Sequence, residues 1–184
     1  QTNDASVLQV AAYGRVTAKL EATPKVLEDR TLPLVEEMIR ICVSAKAAVV
    51  EQDLTEKNIR MQLNLGHTFG HALETIAGLG TVSHGDAVAW GMARALDLSC
   101  SMGCCPPTFR DEGKALLAAF GYDTGFLPAP LEGRAGAVRA LLDAMKKDKK
   151  NRSTSSVSFV LQRSCCDTFV AEVPDGAILA ALGA

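Results

Sequence analysis

The chemistry in this sequence is concentrated in its histidines. All three, His67, His71 and His84, fall within eighteen residues, and each has a glycine beside it: Gly66-His67, Gly70-His71 and His84-Gly85. Small neighbours leave room for a ligand or ion to approach the imidazoles. His67 and His71 are four residues apart and share a helical face, which Glu74 joins one turn later. Phe69, Leu73 and Ile76 lie on the opposite face of the same helix, where a core would be. A pair of imidazoles is most simply a solvated polar face. A third imidazole at the start of the next helix changes that, because imidazoles converging between helices suit a divalent transition metal, zinc foremost. The spacing is not the His-Glu-x-x-His pattern of a metalloprotease, since Thr68 follows His67.

Lys46 is a second candidate. Its helix carries Leu34, Val35, Met38, Ile39, Cys42, Ala45 and Val49 as an apolar stripe, and counting 100° per residue puts Lys46 within it. An inward ammonium requires an anionic partner; a lysine snorkelling to water is the alternative. Arg60 and the run Lys146-Lys147-Asp148-Lys149-Lys150 are further cations able to bind an anion, although a solvated surface is the default for such a run.

Helical periodicity organises most of the chain around these residues. Helices are expected over Thr31–Val50, from near Thr55, over Thr68–Ala77 with a glycine stop at Gly78 or Gly80, and over Gly85–Ser99. The last of these has apolar or small residues on nearly every side and should be the buried central helix. Pro106 and Pro107 break the chain, and helices near Asp111–Phe120 and Gly136–Lys146 follow. Ser156–Leu161 and Thr168–Val173 read as a pair of strands, and a short helix starts near Asp175. The expected fold is mainly α with a small two-stranded β element near the C-terminus. The 184 residues suit one domain, with a leader over residues 1–30 that is hard to place.

Composition removes several classes of function. Hydrophobic residues are 48% and charged ones 22% of the chain, which can bury a core and excludes a wholly disordered protein. A formal net charge of −2 offers no basic excess for a nucleic-acid partner. No apolar stretch approaches the roughly 18–20 residues of a membrane helix. The six cysteines contain no Cys-x-x-Cys spacing, and reduced thiols in a cytoplasmic compartment fit better than disulfides, with a cysteine zinc site as the alternative. The stretch Gly78-Leu79-Gly80 follows a helix and lacks the third glycine of a dinucleotide-binding loop.

Several segments resemble one family, the 3-dehydroquinate synthases. Arg60-Met-Gln-Leu-Asn64-Leu-Gly66-His67-Thr68-Phe69-Gly70-His71-Ala72-Leu73-Glu74 is similar to one of its signatures, and His84-Gly85-Asp86-Ala87-Val88-Ala89-Trp90-Gly91-Met92 to another. Lys46-Ala-x-Val-Val and Asp148-Lys149-Lys150-Asn151 correspond in order and separation. The resemblance covers about residues 30–165 and implies the helical C-terminal domain of that family.

It further implies roles. His67 and His84 would ligate zinc, or another divalent metal such as cobalt. Lys46, Arg60, Asn64, His71 and Lys149 would hold the carboxylate, hydroxyls and phosphate of the seven-carbon sugar acid phosphate DAHP. The family converts DAHP to 3-dehydroquinate and phosphate in the shikimate pathway, using NAD. A plastid location is implied if the source is a photosynthetic eukaryote. The family's NAD-binding domain is not matched, and its third zinc ligand, a glutamate of a Glu-x-x-Lys segment, meets Gln9 and Ala12 in a weak alignment with Gln9-Val-Ala-Ala12. The chain would therefore be the metal- and substrate-binding half, as a homodimer or with a partner supplying the missing domain. The alternatives are a non-catalytic binding or dimerising module, or a related sugar phosphate cyclase.

Overall fold

The computed structural model describes residues 33–56, 59–78, 80–148 and 156–183, so Lys149, Asn151, Gln9 and the expected leader lie outside the described residues. The chain divides into two compact units, one ending at Leu63 and one running from Asn64.

The first unit contains helix α1, Pro33–Gln52. Proline at the first position costs nothing, because that N–H has no intrahelical partner. The apolar stripe is real but only part of it is covered. Ala45 and Val49 are buried, whereas Ile39, Cys42, Val43 and Lys46 are exposed. The ammonium of Lys46 thus stays in water, where its hydration is retained. Among the described residues no α-helix starts at Thr55. Asp53, buried just beyond α1, accepts a hydrogen bond from the Arg60 backbone N–H at 3.2 Å, and Glu56 takes φ 55°. A left-handed residue ends helical propagation there, and the next element among the described residues is a short 3-10 helix, Ile59–Asn64.

Among the described residues the second unit has five α-helices and a hairpin: α2 His67–Ala77, α3 His84–Ser101, α4 Pro107–Ala119, α5 Ala137–Asp148, β1 Ser156–Ser164, β2 Asp167–Pro174 and α6 Asp175–Ala181. Helix α3 is its centre, as its sequence suggests, and packs on α2, α4, α6 and β1. Its buried residues include Ala87, Trp90, Gly91, Arg94, Ala95 and Leu98. The strands pair antiparallel, with Val157 opposite Val173 and Phe159 opposite Ala171. Phe69 of α2 sits 6.0 Å from the Trp90 ring and 4.8 Å from that of Phe159, joining α2, α3 and β1 at one point of the core. Burying each such side chain contributes roughly 1.5–3 kcal/mol.

One core residue is charged. Arg94 is fully buried, pairs with Asp97 at 2.8 Å and donates to the carbonyls of Thr124 at 2.6 Å and Ala181 at 3.3 Å. Asp97 also receives Lys114 from α4 at 3.0 Å. Hydrogen-bonded pairing is what makes a buried guanidinium tolerable. The pair ties the loop after α4 and the end of α6 to the central helix.

Candidate metal and substrate site

Helices α2 and α3 meet through glycine. A Cβ on Gly91 would lie 2.1 Å from the Gly66 carbonyl oxygen and 3.0 Å from the Gly70 nitrogen. A Cβ on Gly66 would meet the Val88 carbonyl oxygen at 2.6 Å, and one on Gly70 the Ala87 carbonyl oxygen at 3.0 Å. Two helix backbones can approach this closely only where neither carries a side chain. Gly66 and Gly70 therefore admit α3; they do not clear space for a ligand, as their place beside the histidines suggests. Gly85 is the glycine with room, its nearest neighbour being the Ser83 hydroxyl at 3.9 Å.

This crossing places the start of α3 beside the polar face of α2. Gly66 adopts φ 81° at the head of α2, and Gly78 closes the helix at φ 96°, with its N–H donating to the Glu74 carbonyl at 3.2 Å. Thr68 donates from its hydroxyl to the Ser158 carbonyl at 3.4 Å, holding the first turn of α2 against β1. Ser83 caps α3 by accepting from the Asp86 N–H at 3.1 Å, a contact contributing about 1 kcal/mol to the helix start that carries His84.

The three imidazoles converge as a result. Ring centroids are 5.5 Å apart for His67 and His71, 5.5 Å for His67 and His84, and 6.0 Å for His71 and His84. Glu74 Oε1 lies 3.1 Å from His84 Nδ1. Donor atoms of His71, Glu74 and His84 all fall within 4.8 Å of one another, and among the described residues this is the one such group; no cysteine enters it. The cysteine zinc site considered from the sequence is therefore not formed by the described cysteines. His67 has its Nδ1 3.3 Å from the Leu65 carbonyl. Burial pushes its pKa below the ordinary value; the Leu65 hydrogen bond opposes this, His71 and His84 add to it, and Glu74 opposes it weakly. The ring is thereby biased to its neutral form, which alone has a lone pair for a metal.

The other candidates are placed as follows. Asn64, half-buried, opens the second unit. Lys46 and Arg60 belong to the first. Arg60 is held locally: its guanidinium donates to the Leu54 carbonyl at 3.2 Å and lies 3.7 Å from the Glu56 carboxylate. Lys146, the first of the basic run, pairs with Asp175 at the start of α6, and Lys147 is exposed. Glu74 is the residue that spacing alone undervalues. It shares the face of His71, but its contact with His84 exists only once α3 is in place.

The donor set suits a divalent cation. Neutral imidazole and carboxylate are ordinary zinc ligands, and the cluster is open enough for an ion to enter. No helix among the described residues is long and apolar enough to cross a membrane.

The chain is similar to known proteins over most of its length. The model of the 3-dehydroquinate synthase C-terminal family matches residues 7–151. The 3-dehydroquinate synthase of Rhodospirillum rubrum is 50% identical over 121 residues, covering 65% of this chain and 31% of that protein. That of Geobacter metallireducens is 39% identical over 166 residues, covering 85% of this chain and 43% of its own length. The chain thus spans about a third to two-fifths of these relatives. Two sugar phosphate cyclases share the fold at lower identity. A 2-epi-5-epi-valiolone synthase from Streptomyces hygroscopicus, solved with NAD+ and Zn2+, has a TM-score of 0.72 at 20% identity, covering 89% of this chain and 44% of that one. A 2-deoxy-scyllo-inosose synthase, solved with carbaglucose-6-phosphate, NAD+ and Co2+, has a TM-score of 0.65 at 23% identity, covering 80% and 40%. The helical crossing, the paired strands and the family match over most of the sequence lead to one conclusion: this chain belongs to the 3-dehydroquinate synthase family, in its C-terminal domain.

Proposed function

We propose that this chain is the metal- and substrate-binding half of an enzyme converting DAHP to 3-dehydroquinate and phosphate in the shikimate pathway. The observation that carries the reading is the convergence of His67, His71, His84 and Glu74 at a glycine-packed crossing, in a chain of this family. A divalent ion, zinc or cobalt as in the solved cyclases, supplies Lewis-acid polarisation of a substrate hydroxyl when bound. His67 of α2 and His84 of α3 would hold it. His71, the imidazole not assigned to the ion, can hold or accept a substrate proton. Lys46, Arg60, Asn64 and Lys149 bind the carboxylate and phosphate ends of the substrate, and cations there stabilise charge on the departing phosphate. NAD is held by the rest of a complete enzyme, either in the same polypeptide or in a partner. The Gly78–Gly80 stretch of this chain joins two helices and offers no strand-to-helix phosphate turn.

Two measurements test the reading. The 184-residue chain loaded with zinc should bind a phosphonate analogue of DAHP in a calorimetric titration, and chelation should abolish that binding. The same chain alone, given zinc, NAD and DAHP, should release no phosphate above a protein-free control, because no hydride acceptor is positioned. Analogue binding indifferent to metal would contradict the proposal.

A further expectation concerns Lys46. Its ammonium is exposed on α1, so Lys46→Met should leave the melting temperature of the ligand-free chain within a degree or two, on the order of the ±0.5 kcal/mol of surface substitutions. Its effect should appear on adding the analogue, as a smaller rise in melting temperature than in the unsubstituted chain. An equal rise in both proteins would remove Lys46 from the site.

A further inference from the structure

We propose that Cys165 and Cys166, at the tip of the β1–β2 hairpin, form a dithiol site that takes up a monosubstituted trivalent arsenical, R–As=O, as a cyclic dithioarsenite. The two residues are the whole of the turn, since Ser164 and Asp167 pair across the strands on either side of them. Neighbouring side chains of a strand point to opposite faces. The turn brings these two together instead, with their sulfurs 3.7 Å apart. Cys166 takes φ 63°, a left-handed conformation that turns of this kind ordinarily give to glycine or asparagine. The tip is braced: Arg163 pairs with Asp167 at 3.0 Å and lies 4.0 Å over the Phe169 ring. Cys165 is exposed and Cys166 half-buried, so a ligand reaches the pair from solvent.

The spacing suits one soft centre shared by both sulfurs. Two thiolates on such a centre, with bonds of about 2.3 Å and an angle from roughly 100° to tetrahedral, stand about 3.5–3.8 Å apart. A disulfide is less well served, because neighbouring Cα atoms are about 3.8 Å apart and a disulfide prefers roughly 4.4–6.8 Å. The number of ligands then selects the arsenical over a metal cation. Zinc is held by three or four protein ligands. Among the described residues no third histidine, cysteine or acidic donor converges with these two sulfurs, and the Asp167 carboxylate is engaged by Arg163. A monosubstituted arsenic(III) has two valences to fill, and two thiols fill them.

The reaction is a condensation. Both bonds from arsenic to oxygen break, two As–S bonds form, and the oxygen leaves as water with the two thiol protons. Arsenic stays trivalent and nothing is oxidised. Burial, the hydrogen bond shared with Cys165 and the charge of that neighbour push the Cys166 thiol up to about 11, so it keeps its proton at neutral pH. A bare cation must displace that proton, whereas the arsenical carries the oxygen that removes it. The site is separate from the imidazole cluster. Next to the tip, the Gln162 N–H donates to the Ser99 hydroxyl at 3.2 Å, fifteen residues along α3 from His84, or roughly 22 Å at the helical rise.

The test is titration of the 184-residue chain, reduced with a phosphine, with phenylarsine oxide. The proteins compared are the wild type, Cys165→Ser, Cys166→Gly and the double variant Cys100→Ser/Cys104→Ser. Glycine suits the left-handed position, so Cys166→Gly keeps the turn, and circular dichroism checks each fold. Cleavage after Arg163 separates Cys165 and Cys166 from every other cysteine, and the mass of the peptide from Ser164 locates the adduct. Competition with free dithiothreitol gives the affinity at that peptide. The wild type should carry one phenylarsenic group there, with one water lost. Cys165→Ser and Cys166→Gly should bind at least about 100-fold more weakly, because the second As–S bond is intramolecular only when both thiols are present. The double variant, altered elsewhere, should stay within about threefold of wild type. Wild-type affinity in Cys166→Gly would overturn the proposal. So would an adduct confined to the peptides carrying Cys100, Cys104 and Cys105, or no adduct at all.

Discussion

Replacing Gly91 with alanine is expected to cost the second unit at least 3 kcal/mol, the upper end of ordinary overpacking penalties. The added methyl would lie 2.1 Å from the Gly66 carbonyl oxygen and 2.9 Å from its carbon. Both obstacles are backbone, so no side-chain rotation relieves them. Relief requires α2 and α3 to move apart, and the Phe69–Trp90 contact and the imidazole cluster are built across that same crossing. A unit with the usual 5–15 kcal/mol of stability would lose a large share of it. Metal binding should weaken as well, because His84 at the start of α3 shifts against His67 of α2. Gly85→Ala is the matched control: it adds the same methyl to the same helix, where only a hydroxyl at 3.9 Å is near. Alanine also favours a helix over glycine by up to about 1 kcal/mol, so this variant should be neutral or slightly more stable. Urea unfolding of the three proteins checks both. A Gly91→Ala midpoint equal to wild type would mean that the close crossing is not a feature of the folded protein.

The same crossing shows how far the sequence could be read. Periodicity and glycine stops located α2 and α3 to within a residue or two, because both helices bury a continuous face: Phe69 and Leu73 in one, Ala87 through Leu98 in the other. The histidine cluster was legible for the same reason, two of its members sharing a helical face and the third opening the next helix. What the glycines do was not. Sequence shows a small residue but not whether a ligand or a neighbouring backbone occupies the space beside it. Lys46 shows the matching limit of the helical wheel, which tells which residues share a face but not whether anything covers it. On α1 the cover reaches Ala45 and Val49 and leaves Ile39, Cys42 and Val43 exposed along with the lysine. The turn at Asp53 escaped because it depends on a carboxylate reaching seven residues ahead to the Arg60 N–H, a contact with no periodic signature. For Arg94 a signal was available: Asp97 follows three residues later, the spacing of a helical ion pair, within an otherwise apolar helix.

The largest loss of function short of unfolding is expected from His84→Ala. His84 is one of the two imidazoles proposed to hold the metal, with His67 across the crossing, 5.5 Å away between ring centroids. Its removal should therefore weaken zinc or cobalt binding by at least about 100-fold, roughly 2.7 kcal/mol. The fold should be spared. His84 stands at the exposed first position of α3, its side chain fills no core space, and the Ser83 cap that starts the helix remains. Its contact with Glu74 is solvent-accessible and charged only when the imidazole is protonated, so its loss costs about 1 kcal/mol or less. The two effects separate in one experiment. Without metal, wild type and His84→Ala should unfold at nearly the same urea concentration. With free zinc at a hundred times the wild-type Kd, linkage adds about 2.7 kcal/mol to the wild type, while a site weakened 100-fold gains only about 0.4 kcal/mol. The wild-type transition should move to higher urea and that of the variant should barely move. An equal zinc-dependent shift in both proteins would place the metal away from His84, and with it away from the crossing of α2 and α3.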